Sequence, residues 1–141
     1  MPNDVRKEAH RAIEMMKSGA KGGTPTGWNR ARQLAFAEKV NLETLKVMRA
    51  WFARHGPDAT NGGTSYRGYR KFVRSGEPNR GAVAWLLWGG DAAYKWLKTP
   101  KVRELLRQAY PKLKEASKEN NLISREGEAF EQTKHQLEVE L

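Results

Sequence analysis

Cysteine is absent from all 141 residues. Disulfides and thiolate metal sites are therefore excluded, and a reducing compartment is the natural setting. Histidine is scarce. His10, His55 and His135 lie far apart and form no HxxxH or HExxH spacing, so neither a metal nor any other cofactor is expected. No apolar run approaches the roughly 20 residues of a membrane span. The opening Met-Pro-Asn-Asp lacks the charged-then-apolar build of a secretory signal. The expectation is a soluble protein of the cytoplasm in which it is made, without membrane contact. No stretch alternates apolar and polar residues long enough to predict a strand. A GxSxG elbow is missing, and the acidic residues are scattered rather than paired as glycoside hydrolysis requires.

Acidic charge is short in most of the chain. The whole sequence carries 26 Lys and Arg against 16 Asp and Glu, a formal +10. Residues 119–141 hold two of the basic groups (Arg125, Lys134) and six glutamates, which leaves 24 basic against ten acidic groups, or +14, on residues 1–118. Two regions are expected: a basic helical domain over 1–118 and an acidic C-terminal helix or tail over 119–141. A body so basic attracts polyanions, above all nucleic acid.

What is present is organised around Arg80–Leu97, which holds three of the five tryptophans and is nearly free of charge. Val83, Leu86, Leu87 and Trp88 have helical spacing, and Trp85 widens the apolar face. Gly89-Gly90 predicts a helix stop, because glycine accepts the left-handed conformation of a helix end. Asp91 is placed to cap a second helix, continued by Tyr94, Trp96 and Leu97. This reads as helix, two-glycine corner and helix, with the tryptophans filling the core.

The same stretch carries a resemblance. The run Ala84 through Ala92 with Trp96, preceded by Gly22-Gly23-Thr24, Gly27, Arg30-Ala31-Arg32, Leu34-Ala35 and Phe52-Ala53-Arg54-His55, resembles a small domain of tailed bacteriophages and prophages. That domain occurs alone or joined to head-assembly and maturation-protease proteins, and no catalytic activity is established for it. The resemblance covers roughly residues 2–97. It implies a phage setting, with the host cytoplasm or the virion as location and capsid or other virion proteins as partners.

Along the chain, Val5, Ala9, Ala12, Ile13 and Met16 predict a first helix over 3–18, with Asn3 or Asp4 as its cap. Gly19–Gly27 is glycine-rich but lacks the GxxxxGK[ST] order of a phosphate cradle, so it reads as a connector. Trp28–Glu38 predicts a second helix, with Arg30 and Arg32 largely outward. Asn41 is the expected cap of a third helix, Leu42–His55, ended by Gly56-Pro57. These two helices have the outline of a helix-turn-helix, with Glu43, Thr44, Lys46, Val47, Arg49 and Ala50 on the would-be reading face. Few amide groups stand there to read bases, and an ordinary helical hairpin is the plainer reading.

Tyr66–Arg74 alternates aromatics with cations: Tyr66, Tyr69 and Phe72 against Arg67, Arg70, Lys71 and Arg74. Two readings stay open. Either the rings stack on bases while the cations hold phosphates, or the rings dock on the tryptophan core and the cations are solvated. Beyond Leu97, Thr99 and Pro100 predict a helix start and Val102, Leu105, Leu106 and Ala109 its inner face. His55, with Asp58 and Asp91, is the one group that would support a general base, but a histidine at a helix C-terminus also neutralises the helix dipole.

The reading is therefore an all-α protein, a single compact domain of six or seven short helices with an acidic C-terminal helix or tail. Its expected role is non-enzymatic binding of nucleic acid, DNA ahead of RNA, through Arg30, Arg32, Tyr66, Arg67, Tyr69, Arg70, Lys71, Arg74 and Arg80. The alternative is a virion structural or head-assembly component contacting capsid protein.

Overall fold

Seven helices lie in the described part of the chain: α1 (Asn3–Lys17), α2 (Pro25–Phe36), α3 (Leu42–His55), α4 (Thr64–Ser75), α5 (Arg80–Leu87), α6 (Gly90–Leu97) and α7 (Pro100–Ala109). The computed structural model describes residues 1–37 and 39–111, and the backbone of Glu138–Val139. Those two residues form β2, which pairs antiparallel with β1 (Val40–Asn41), Val40 opposite Val139. The all-α reading holds apart from this one short ladder. A strand of two residues is too short for a period-two pattern to register. The acidic helix or tail proposed for 119–141 otherwise lies outside the described residues.

The short helix α5 is the one on which the others pack; α1, α2, α4 and α6 all contact it. Eight residues are too few to hold a helix by propensity. Burial holds it instead: Ala82, Val83, Trp85, Leu86 and Leu87 are all fully buried. Each large side chain among them contributes about 1.5–3 kcal/mol by leaving water. Trp85 is the hub. The rings of Phe52 and Tyr66 meet it edge-on at 5.0 and 5.1 Å, and those of Trp51, Tyr69 and Tyr94 lie within 6.3 Å. The predicted tryptophan core is present.

The corner after α5 uses both glycines, with φ of +104° at Gly89 and +62° at Gly90. A Cβ on Gly89 would stand 2.5 Å from the Ala93 Cβ, so the position demands glycine twice over. Asp91 does not cap α6. The helix begins one residue earlier, with Gly89 at the cap position, and Asp91 lies in the first turn. Its carboxylate instead accepts the Trp85 indole N–H at 2.9 Å.

Three side-chain caps are present. Thr24 accepts from the Gly27 amide at 3.1 Å, Asn41 from Thr44 at 2.8 Å and Asn79 from Ala82 at 2.8 Å. Asn41 is the one foreseen. The Thr24-Pro25 pair, a cap followed by an N1 proline, starts α2 three residues before Trp28. At α1 neither Asn3 nor Asp4 is the cap; Pro2 occupies that position. The Thr99 hydroxyl also fails to cap α7, because it donates back to the Trp96 carbonyl at 2.6 Å.

Helix α4 lies on α5 through a contact between glycines. A Cβ on Gly68 would stand 2.7 Å from Asn79 Oδ1 and 3.0 Å from the Gly81 Cα. Asn79 fastens the crossing. Its amide donates to the Gly68 carbonyl at 2.8 Å while its oxygen caps α5. The close approach fixes which face of α4 points outward.

Candidate nucleic-acid interface

The α4 sequence places Arg67, Arg70, Lys71 and Arg74 at i, i+3, i+4 and i+7, which is one helical face. All four side chains are exposed. None makes a salt bridge or side-chain hydrogen bond to an acidic group among the described residues. The result is a cationic stripe about 10 Å long, at the rise of about 1.5 Å per helical residue.

The aromatic half of the segment faces the other way. Tyr69 is 9% exposed. Tyr66 is half-buried, with its ring edge-on to Trp85. Phe72 packs against the core, and the Arg11 guanidinium of α1 covers its ring at 5.2 Å. Of the two readings left open for this segment, the rings dock on the core. Tyr66 and Tyr69 are thus corrected as base-stacking residues, because their faces are already occupied by Trp85 and its neighbours.

Arg30 is corrected too. It is half-buried, donates to Thr44 Oγ1 at 3.2 Å and to Gln33 Oε1, and lies over the Trp88 ring at 5.4 Å. It joins α2 to α3 and α5 rather than facing solvent. Arg32 is exposed on α2, its guanidinium 5.7 Å above the Trp28 ring centroid. Arg80 is exposed at the start of α5. Its neighbour Gly81 lies against Thr64, Ser65 and Gly68, which sets the Arg80 backbone beside the N-terminal half of α4.

The helix-turn-helix outline does not present a reading helix. Thr44, Lys46 and Ala50, expected outward, are buried. Thr44 accepts from Arg30 and Gln33, and the Lys46 ammonium sits 4.8 Å from the Tyr110 ring centroid. Burial of the third-helix face against α2 and Tyr110 is a tertiary effect with no local signature.

The carboxylates proposed to serve His55 are engaged elsewhere. Asp58 accepts from Tyr94 Oη and Lys98 Nζ, both at 2.6 Å, and Asp91 accepts from Trp85. The Lys98 ammonium holds the Asp58 carboxyl below its ordinary pKa. The His55 ring lies 4.8 Å from that of Trp51. Burial, and then the Arg54 charge, push its pKa down.

Sequence reading missed a second basic feature. Arg49 of α3 and Arg103 and Arg107 of α7 line one cleft of about 510 Å³, with Pro100 and Glu104. The i, i+4 spacing of Arg103 and Arg107 was a visible signal; the approach of α3 was not. No family model, no curated protein and no solved structure matches the chain.

Proposed function

We propose that this protein binds nucleic acid without catalysis, through phosphate contacts made by the outer face of α4. The observation that carries the reading is the stripe of Arg67, Arg70, Lys71 and Arg74, exposed and without an acidic partner among the described residues. Guanidinium forks match phosphate oxygens, and a row of them suits a polyanion better than a small ligand. The face offers no asparagine or glutamine for base edges, so binding is independent of sequence. Duplex DNA is the favoured partner, since its phosphates lie closest together along the axis. The resemblance supports a phage or prophage setting, in the host cytoplasm or the particle.

The test is DNA binding across a salt series. Four phosphate contacts give a slope of log affinity on log salt near about −3.6, at roughly −0.9 per contact. Absence of binding at low salt, or an affinity flat with salt, overturns the reading.

A head-assembly role is the second reading. The 67% exposure of Phe36 and the 58% exposure of Val73 favour a protein partner. Mass spectrometry of purified particles decides it: absence of the chain removes a structural role.

A further inference from the structure

The cleft between α3 and α7 lies apart from the α4 stripe, and its chemistry is that of an anion site. Arg49 comes from the middle of α3, and Arg103 and Arg107 from successive turns of α7. Glu104 is the acidic group of the lining. It is already hydrogen-bonded by Arg107 and by Gln108, the latter at 3.1 Å. Three guanidinium groups against one engaged carboxylate leave a positive excess inside a concave surface. Arg49 is half-buried and feels the charge of Arg103, so the two cations oppose each other across the opening. Like charges brought together and partly desolvated are costly, and a shared dianion relieves both at once. The volume of about 510 Å³ exceeds what a bare phosphate fills and falls in the range of small-ligand sites.

We infer that the Arg49–Arg103–Arg107 cleft is a phosphate-binding site that takes a terminal phosphate carried on a nucleotide-sized group. Arginine suits it because the planar fork bonds two phosphate oxygens together. Two sources share that chemistry, a free mononucleotide and the 5′-phosphorylated end of a nucleic-acid strand. The cleft and the α4 stripe have no residue in common, so either can bind without the other.

The test is calorimetric titration of the full chain in phosphate-free buffer at fixed ionic strength. The probes are adenosine 5′-monophosphate, adenosine, and matched short oligonucleotides with a 5′-phosphate or a 5′-hydroxyl. Arg103→Gln with Arg107→Gln is the variant, because both side chains are exposed on α7 and their removal leaves the core intact. A variant in which Arg67, Arg70, Lys71 and Arg74 are all glutamine is the comparison. The expected result is binding of the monophosphate but not of adenosine, weakened at least tenfold by the α7 variant and unchanged by the α4 variant. A preference for the 5′-phosphorylated strand that disappears in the α7 variant identifies a strand end as the source. Its absence alongside monophosphate binding identifies a free nucleotide. No monophosphate binding at millimolar concentration, equal binding of adenosine, or binding insensitive to the α7 variant overturns the inference. Weakening by the α4 variant alone also overturns it, because the phosphate would then sit on α4.

Discussion

The indole nitrogen of Trp85 donates to the carboxylate of Asp91 at 2.9 Å, across the two-glycine corner between α5 and α6. Trp85 is fully buried, whereas Asp91 is half-exposed at the helix start. One bond thus ties the centre of the core to the direction in which α6 leaves it. Asp91→Ala strands a buried N–H and is expected to cost about 1–3 kcal/mol in chemical denaturation. Trp85→Phe removes the donor and also core volume. In a double-mutant cycle the two single effects should sum to more than the effect of the double variant. Strict additivity would show that the bond contributes nothing.

The contact between Gly68 and Gly81 should tolerate no side chain. Gly68→Ala places a methyl group 2.7 Å from Asn79 Oδ1, the atom that caps α5. A destabilisation of about 1–3 kcal/mol is expected from overpacking, although alanine is the better helix former. Val73→Ala, on the exposed side of the same helix, should stay within about 0.5 kcal/mol. Equal melting temperatures for the two variants would dismiss the close approach.

Changing Arg67, Arg70, Lys71 and Arg74 to glutamine together should leave the melting temperature within a few degrees, because all four side chains are exposed. DNA affinity should fall at least tenfold at low salt. The salt slope should shrink by about 0.9 for each phosphate that is no longer neutralised. Single changes at Arg32 or Arg80 should have smaller effects. Affinity that survives the fourfold change locates binding elsewhere.

His55 should give the fold a pH dependence of its own. Burial and Arg54 hold its folded pKa below the ordinary histidine value. The unfolded chain therefore takes up the proton first as pH falls below about 6.5, and stability drops from there down through the folded pKa. His55→Gln should flatten this decline, by about 1–3 °C in melting temperature once half-exposure is discounted. Melting curves of both proteins at pH 7 and pH 5 measure it. An unchanged difference between the two pH values would place the titration elsewhere.

Removal of residues 119–141 takes away a net −4, two basic against six acidic groups, from a body of +14. An acidic segment on a basic chain competes with DNA for the same cations. The chain ending at Lys118 should bind DNA more tightly than the full chain at low salt. The gain should narrow as salt rises and the Debye length falls to about 10 Å at 0.1 M. Deletion also removes the pairing of Val40 with Val139, so some drop in melting temperature is expected. Weaker DNA binding by the shortened chain would exclude competition by this segment.

Helix identity was legible in the sequence because its causes are local. The 3.6-residue spacing of apolar side chains, the Asn41 cap, the Gly56-Pro57 stop and the Gly89-Gly90 corner all act over a few residues. The spacing of Arg67, Arg70, Lys71 and Arg74 already put four cations on one face.

The roles of polar groups within that frame were decided only by packing. Nothing near Asp91 in sequence says that an indole six residues earlier will claim it in place of the helix amides. Tyr66 and Tyr69 have the composition of a stacking platform, and only the approach of α5 turns them onto Trp85. Arg30, Thr44 and Lys46 look solvent-facing on isolated helices and become buried or half-buried when α2, α3 and Tyr110 meet. The cleft of Arg49, Arg103 and Arg107 joins two helices that are distant along the chain. A local pattern fixes which face of a helix is apolar; which polar side chains are covered depends on what packs beside them, and that information lies in residues far away in the sequence.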